Sequence, residues 1–424
     1  MPCCIKRRSM IRKGSWLIAF FGLCNNCLFC QDTLNAKTEI HYEFIKEQTN
    51  EILNTSTLSG FFEKLYQLKK TKKGTVSIVH IGDSHIQADL FTDRVRQLLQ
   101  KQFGNAGRGF IFPGRIARTN EPQNIYTSSE ASWEAKRIVF SDQPLPIGLG
   151  ASTVRTLEPE VKFLVRTLDS PALDYRFNGV SVFYQKDFTS FNLILRDSSG
   201  HSLAYVGPYT SEPYVNFSSV VLPYPVHQIE FQTSQPTPAQ NQFTLFGLSL
   251  TRNEPGVIYH SIGGNGAKFK NYLEAKYFFE QTKSLSPDLF IISLGTNEAM
   301  EYPYIDKQFR QQVENFIQQL KQSNPNSLFV ITTPCDFYRK RTRRNPGVES
   351  IHSQLITFSD KSNMASWDLY AIAGGKHSAD QWKKNSLLQS DGVHCTRAGY
   401  ELQGNLLYQA LIKGYNEYVR YRYP

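Results

Sequence analysis

Thr75-Val-Ser-Ile-Val-His-Ile81 runs directly into Gly82-Asp83-Ser84-His85. The first seven residues are β-branched or apolar almost throughout, which predicts a strand covered on both faces, as in a parallel sheet. Gly82-Asp83-Ser84 breaks that strand. From His85 to about Phe103, Leu90, Phe91, Val95, Leu98 and Leu99 recur on one side of a helix. Strand, glycine-bearing turn and helix together form the opening unit of an α/β fold.

The same alternation resumes after Pro255. Gly256–His260, Asp288–Leu294 and Ser327–Thr333 read as strands, and Ala267–Gln281, Asp306–Ser323 and about Ala398–Tyr415 as helices. Residues 31–75 read as a helical lead-in that ends at Lys69, Lys70, Lys72, Lys73 and Gly74. From about residue 120 to 255 short alternating runs take over, among them Val161–Val165, Val180–Tyr184, Phe191–Leu195, Gln228–Gln232 and Phe243–Leu250. Asp197-Ser-Ser-Gly200, Gly207-Pro208 and Gln235-Pro-Thr-Pro238 separate them. Many short strands at this spacing predict a β-sandwich or jelly roll. The expected organisation is one α/β domain, residues 31–119 and 256–424, interrupted by an all-β insert over 120–255.

Composition narrows the class. With 40% apolar and 20% charged residues in 424, the chain is no disordered protein, and seven cysteines are too few for a disulfide-built miniprotein. Lys6, Arg7, Arg8, Arg12 and Lys13 precede a short apolar stretch, Trp16 to about Cys24, and the first 30 residues hold no acid. That layout predicts a secretory signal peptide over 1–30, cleaved near Cys30. Its apolar core is about half of the ~20 residues a membrane span needs, and no later window reaches that length, so no stable span is expected after cleavage. Those five cations account for half of the net charge of +10, which weakens a nucleic-acid interpretation. Cys24-x-x-Cys27-x-x-Cys30 has no further Cys or His close by to complete a ligand shell. No metal or cofactor is expected.

Ligands of open α/β sheets sit at the carboxyl ends of the strands. Those ends carry Gly82-Asp83-Ser84-His85, Gly263-Gly264-Asn265-Gly266 and Gly295-Thr296-Asn297-Glu298, and Asp391-Gly-Val-His394 precedes the last helix. These are the parts of an acyl-transfer site. A serine hydroxyl needs an imidazole to take its proton, and that imidazole needs a carboxylate to fix its tautomer. Asp391 and His394, three apart in a tight loop, can both face Ser84. An oxyanion needs donors aimed at one point. The Ser84 amide, a backbone amide of the Gly263–Gly266 loop and the Asn297 side-chain amide are candidates.

In order, Gly82-Asp83-Ser84, Gly266, Gly295-Thr296-Asn297 and Asp391-x-x-His394 resemble the four blocks of the SGNH/GDSL hydrolases. Gly82-Asp-Ser-His85, Gly263-Gly-Asn-Gly-Ala267 and Gly295-Thr-Asn-Glu-Ala299 are similar to the bacterial peptidoglycan O-acetylesterase branch, which carries a carbohydrate-binding-module-like domain after the first block. The resemblance implies a flavodoxin-like three-layer α/β/α fold, with Ser84 as nucleophile, His394 as base and Asp391 as its orienter. Gly266 matches the general family pattern, while Gly263 or Gly264 could equally present the oxyanion amide.

The remaining features are weighed against plainer roles. His85 is expected to point away from the site and Glu298 to support its loop. Arg339-Lys-Arg-Thr-Arg-Arg344 is either a solvated loop or an electrostatic guide for an anionic polymer. Cys335 and Cys395 are either a disulfide pinning the catalytic loop or two buried thiols. Tyr184, Tyr205, Tyr209 and Tyr214 are candidates to stack on sugar rings. No Gly-x-Ser-x-Gly elbow, His-Glu-x-x-His, P-loop or Gly-x-Gly-x-x-Gly after a strand is present. The expected function is an exported serine esterase that removes O-acetyl groups from peptidoglycan or a related polysaccharide. The alternatives are a polysaccharide O-acetyltransferase using the same triad and a non-catalytic glycan-binding protein.

Overall fold

The structure, a computed structural model, describes residues 33–35, 42–140, 144–168, 173–208 and 216–424. The expected signal peptide, Tyr209 and Tyr214 lie outside the described residues.

Five parallel strands form the central sheet, in the spatial order Gly256–Gly263, Thr75–Gly82, Leu289–Ser293, Leu328–Thr332, Ala365–Trp367. In chain order this is 2-1-3-4-5, and it switches direction between the first and third strands. Alternation along each strand divides the core. Val76 and Ile78 join a cluster with Phe61, Phe62, Val95, Leu99, Leu406 and Tyr415 from helices Ser59–Thr71, Leu90–Phe103 and Arg397–Arg422. Val79 and Ile81 face Phe316, Leu320, Ile351 and Leu355 from helices Phe309–Ser323 and Pro346–Lys361 on the other side. A sheet buried on both faces by helices gives the α/β class and the three layers expected from the sequence.

Two antiparallel sheets arise between the first and second parallel strands. One contains Phe217–Val226, Phe177–Tyr184, Phe243–Thr251, Ser152–Thr156 and Glu134–Arg137, with Gly109–Ile111 also paired to Phe243–Thr251. The other contains Ile125–Ser129, Lys162–Thr167, Gln228–Ser234, Asn192–Arg196 and Ser202–Val206. Their inward residues, such as Val182, Phe243, Phe163, Leu193 and Phe231, form a third apolar cluster. Phe110, Phe183 and Phe246 of the first sheet instead pack into the cluster that covers the parallel strands. Tyr184 is fully buried and stacked on Phe243 with ring centroids 5.6 Å apart, so of its two candidate roles, sugar stacking and core, it has the second. Tyr205 lies half exposed on the outermost strand.

Two expected helices are broken. His85–Phe103 splits into Ser84–Gln87 and Leu90–Phe103 because Asp89 takes a left-handed φ of 56°. That turn buries its carboxylate, which accepts Arg96 Nη2 at 2.7 Å and Nη1 at 3.0 Å, together with Arg108 Nη2 and the Thr92 hydroxyl. Asp93 extends the network to Arg96, Asn124 and Tyr175 at 2.8–3.0 Å. Ala267–Gln281 splits into Phe269–Leu273 and Phe278–Thr282, because the chain between them turns to let the Tyr277 amide donate to Ile147 O. Among the described residues no helix is long and apolar enough to cross a membrane.

Asp89 accepts from two fully buried guanidinium groups, those of Arg96 and Arg108. Asp89→Ala leaves both buried charges poorly compensated and is expected to cost about 3–5 kcal/mol of unfolding free energy, measured by urea titration.

Candidate active site

The site begins with a close approach that only glycine permits. Gly82 and Gly263 are register partners at the ends of adjacent strands. A Cβ at Gly82 would lie 2.3 Å from Ile86 Cγ1, and one at Gly263 2.2 Å from Gln87 N. The Ser84–Gln87 turn can therefore rest on the strand ends. Asp83, fully buried, caps that turn: its Oδ1 accepts the His85 amide at 3.0 Å, and its carbonyl accepts Ile86 and Gln87.

His394 Nε2 lies 2.9 Å from Ser84 Oγ, and His394 Nδ1 lies 2.6 Å from Asp391 Oδ2. Burial pushes the Asp391 carboxyl up, but the bonds from the His394 ring and from the Val393 and His394 amides outweigh it and hold the group below its ordinary value. Ionised, it can only accept, so Nδ1 carries the imidazole proton and Nε2 is left to accept the Ser84 hydroxyl. The loop that presents this pair is tightly closed. Leu388 and Cys395 form a β-bridge, Gln389 N donates to His394 O at 2.8 Å, and Thr396 caps the final helix.

The oxyanion candidates converge less evenly. Asn297 Nδ2 donates to Ala267 O at 3.0 Å and reaches Asp83 Oδ2 at 3.4 Å, so it spans from the block beside Gly266 to the block beside Ser84. The Gly264 amide donates to Gly82 O at 3.2 Å, and Gly263 serves the strand contact with Gln87. Gly266 lies at φ 80°, and among the described residues its amide makes no backbone hydrogen bond of this kind.

Several neighbours carry no sequence signal of their role. His85 does not turn away from the site: its ring lies 5.2 Å from that of His394, and its Nδ1 meets the Tyr400 hydroxyl at 3.0 Å. Burial lowers its pKa, so it packs against His394 as a neutral ring. Tyr272 donates its hydroxyl to Gly82 O at 2.6 Å. Cys335 and Cys395 are free thiols, each 3.3 Å from Gln403 Nε2, so of the two alternatives the structure has the thiols and not the bridge. Burial raises both thiols, Cys395 to about 12, which keeps them protonated and unreactive. No cluster of His, Cys, Asp and Glu able to hold a metal occurs among the described residues.

Comparison with known proteins finds one family and several solved structures similar to this chain. The GDSL-like Lipase/Acylhydrolase family is matched over residues 234–402, which span Gly266, Asn297, Asp391 and His394 but not Ser84. No curated protein matches the sequence. A solved structure described as a peptidoglycan O-acetylesterase in action superposes with a TM-score of 0.72 at 18% identity, covering 86% of this chain and 99% of the other. A family two carbohydrate esterase from Clostridium thermocellum, solved with cellohexaose, gives a TM-score of 0.31 at 11% identity over 68% of this chain and 100% of the other. The resemblance to SGNH/GDSL hydrolases holds, and the first of these structures shows the shared fold.

Glu298, one residue past Asn297, is buried, and its Oε1 accepts the Phe269 amide at 2.9 Å. Its Oε2 has no hydrogen-bond partner among the described residues. Burial pushes this carboxyl up to about 7. Between its unfolded value near 4.5 and pH 7 the folded state holds a proton that the unfolded state has lost, so stability falls as pH rises through that window. The expected loss is about 3 kcal/mol, and Glu298→Gln should remove it. Urea titrations of both proteins at pH 5 and pH 8 measure the difference.

Proposed function

We propose that this protein is an exported serine esterase that removes O-acetyl groups from peptidoglycan. The observation that carries this is the unbroken chain Ser84 Oγ, His394 Nε2, His394 Nδ1, Asp391 Oδ2, with links of 2.9 and 2.6 Å. The family match and the O-acetylesterase fold support an acyl-ester substrate, and the basic, acid-free amino terminus supports export.

In this mechanism Ser84 Oγ attacks the acetyl carbonyl carbon as its proton passes to His394 Nε2. Asp391 stabilises the resulting imidazolium. The carbonyl oxygen becomes an oxyanion, which the Ser84 and Gly266 amides receive. The 3.4 Å contact of Asn297 Nδ2 with Asp83 is the weaker of its two bonds, and this hydrogen is the third donor to the oxyanion. His394 returns the proton to the departing sugar oxygen, leaving acetyl-Ser84. Water, deprotonated by His394, then attacks the acetyl carbon, and acetate leaves as the proton returns to Ser84. The side chains of His394 and Asp391 are 34% and 43% exposed, so water can reach the base.

Purified protein should release acetate from O-acetylated wall sacculi without any added acceptor. Ser84→Ala and His394→Ala are expected to lower kcat at least about a thousandfold, and Asp391→Asn somewhat less, with folding kept in each. Undiminished turnover by folded Ser84→Ala protein would refute the assignment.

A further inference from the structure

The basic run singled out in the sequence folds as a two-stranded hairpin, Tyr338–Arg339 paired with Arg343–Arg344. It lies against the catalytic loop. Tyr338 N donates to Gly392 O at 2.8 Å. Gly392 stands between Asp391 and His394 at φ 73°, and a Cβ there would come 3.0 Å from Arg341 O and 3.1 Å from Tyr338 Cβ. The hairpin backbone is thus in contact with the backbone that orients the imidazole.

Its charges divide into anchors and free groups. Asp380 accepts both the Tyr338 hydroxyl and Arg344 Nη2, and the Arg339 guanidinium lies 5.8 Å from the centre of the Tyr302 ring. Lys340 and Arg341 form the tip in left-handed conformations, φ 47° and 70°. Lys340, Arg341 and Arg343 are exposed, and among the described residues none of them forms an ion pair. Lys383 adds a sixth nearby cation, 5.4 Å from the Tyr338 ring centre. Three unpaired cations held on an anchored turn repel one another, a cost that an anionic ligand relieves. An acetyl ester carries no charge, so the anion belongs to the polymer that bears it. Guanidinium forks match planar carboxylates in two parallel bonds.

We propose that the Tyr338–Arg344 hairpin is a docking rim that binds the peptide-stem carboxylates of the wall polymer and so places its acetylated sugar beside His394. This rests on the esterase function proposed above and adds the part of the substrate that is recognised. The triple variant Lys340→Gln, Arg341→Gln, Arg343→Gln removes the three free charges and leaves Tyr338, Arg339 and Arg344 in place. Three probes separate the effects: O-acetylated sacculi, the same sacculi with their carboxylates converted to amides, and the neutral ester para-nitrophenyl acetate. At low ionic strength the variant's ratio of sacculus to small-ester turnover should fall roughly tenfold. Amidated sacculi should erase that difference, and added salt should slow wild type on sacculi more than the variant. An unchanged ratio, or an equal loss on amidated sacculi, overturns the proposal. Co-sedimentation of Ser84→Ala protein with sacculi, with and without the triple substitution, reads docking without turnover. Loss of pelleting in the triple variant supports the rim even if no acetate is ever released, and equal pelleting overturns it.

Discussion

A carboxylate has no proton to give, and that fact orders the whole site. Because Asp391 can only accept, the imidazole beside it must present its bare nitrogen to Ser84. The remaining architecture keeps this one hydrogen bond in register. Two amides of its own loop steady Asp391, the β-bridge at Leu388 and Cys395 closes that loop, and the hairpin backbone closes over Gly392. On the opposite side, the paired glycines of the first two strands set the serine turn at the height where its hydroxyl meets the ring.

The sheet beneath the serine is not uniformly apolar. His80 is buried between the Tyr259 hydroxyl at 2.7 Å and Ser293 Oγ at 2.6 Å, and Ser293 in turn meets Thr332 Oγ1 at 2.7 Å. Burial lowers this imidazole to about 3, so it stays neutral and links four strands through hydrogen bonds rather than charge. Farther out, Asp89, Arg96 and Arg108 form an ionic knot that ties the helix after the serine to the residues leading into the antiparallel sheets. Both networks put polar specificity where apolar packing alone would allow the elements to slide.

Much of this was legible in the chain because strands buried on both faces write continuous β-branched runs, and those at 75–82, 256–263, 289–293 and 328–332 do so. The fifth strand, Ala365–Trp367, is too short for any period to show. The helix break at Asp89 was invisible because its cause, two arginines placed by tertiary contact, leaves no local mark. Ser84, Asp391 and His394 stood out through the order of their blocks. Tyr400, Tyr272 and the ring-against-ring position of His85 did not, since each acts through a partner distant in sequence. Gly263, Gly264 and Gly266 cannot be told apart by residue type, because their different backbone contacts, Gly263 with Gln87 and Gly264 with Gly82 O, leave no local mark.

Ser84 and His394 are 310 residues apart along the chain, and everything between them, both antiparallel sheets included, must be made before they touch. Under the proposed mechanism a partly synthesised polypeptide therefore has no attacking oxygen to offer any ester it meets. Chemistry switches on only after the last loop closes, which makes turnover itself a sensor of finished folding.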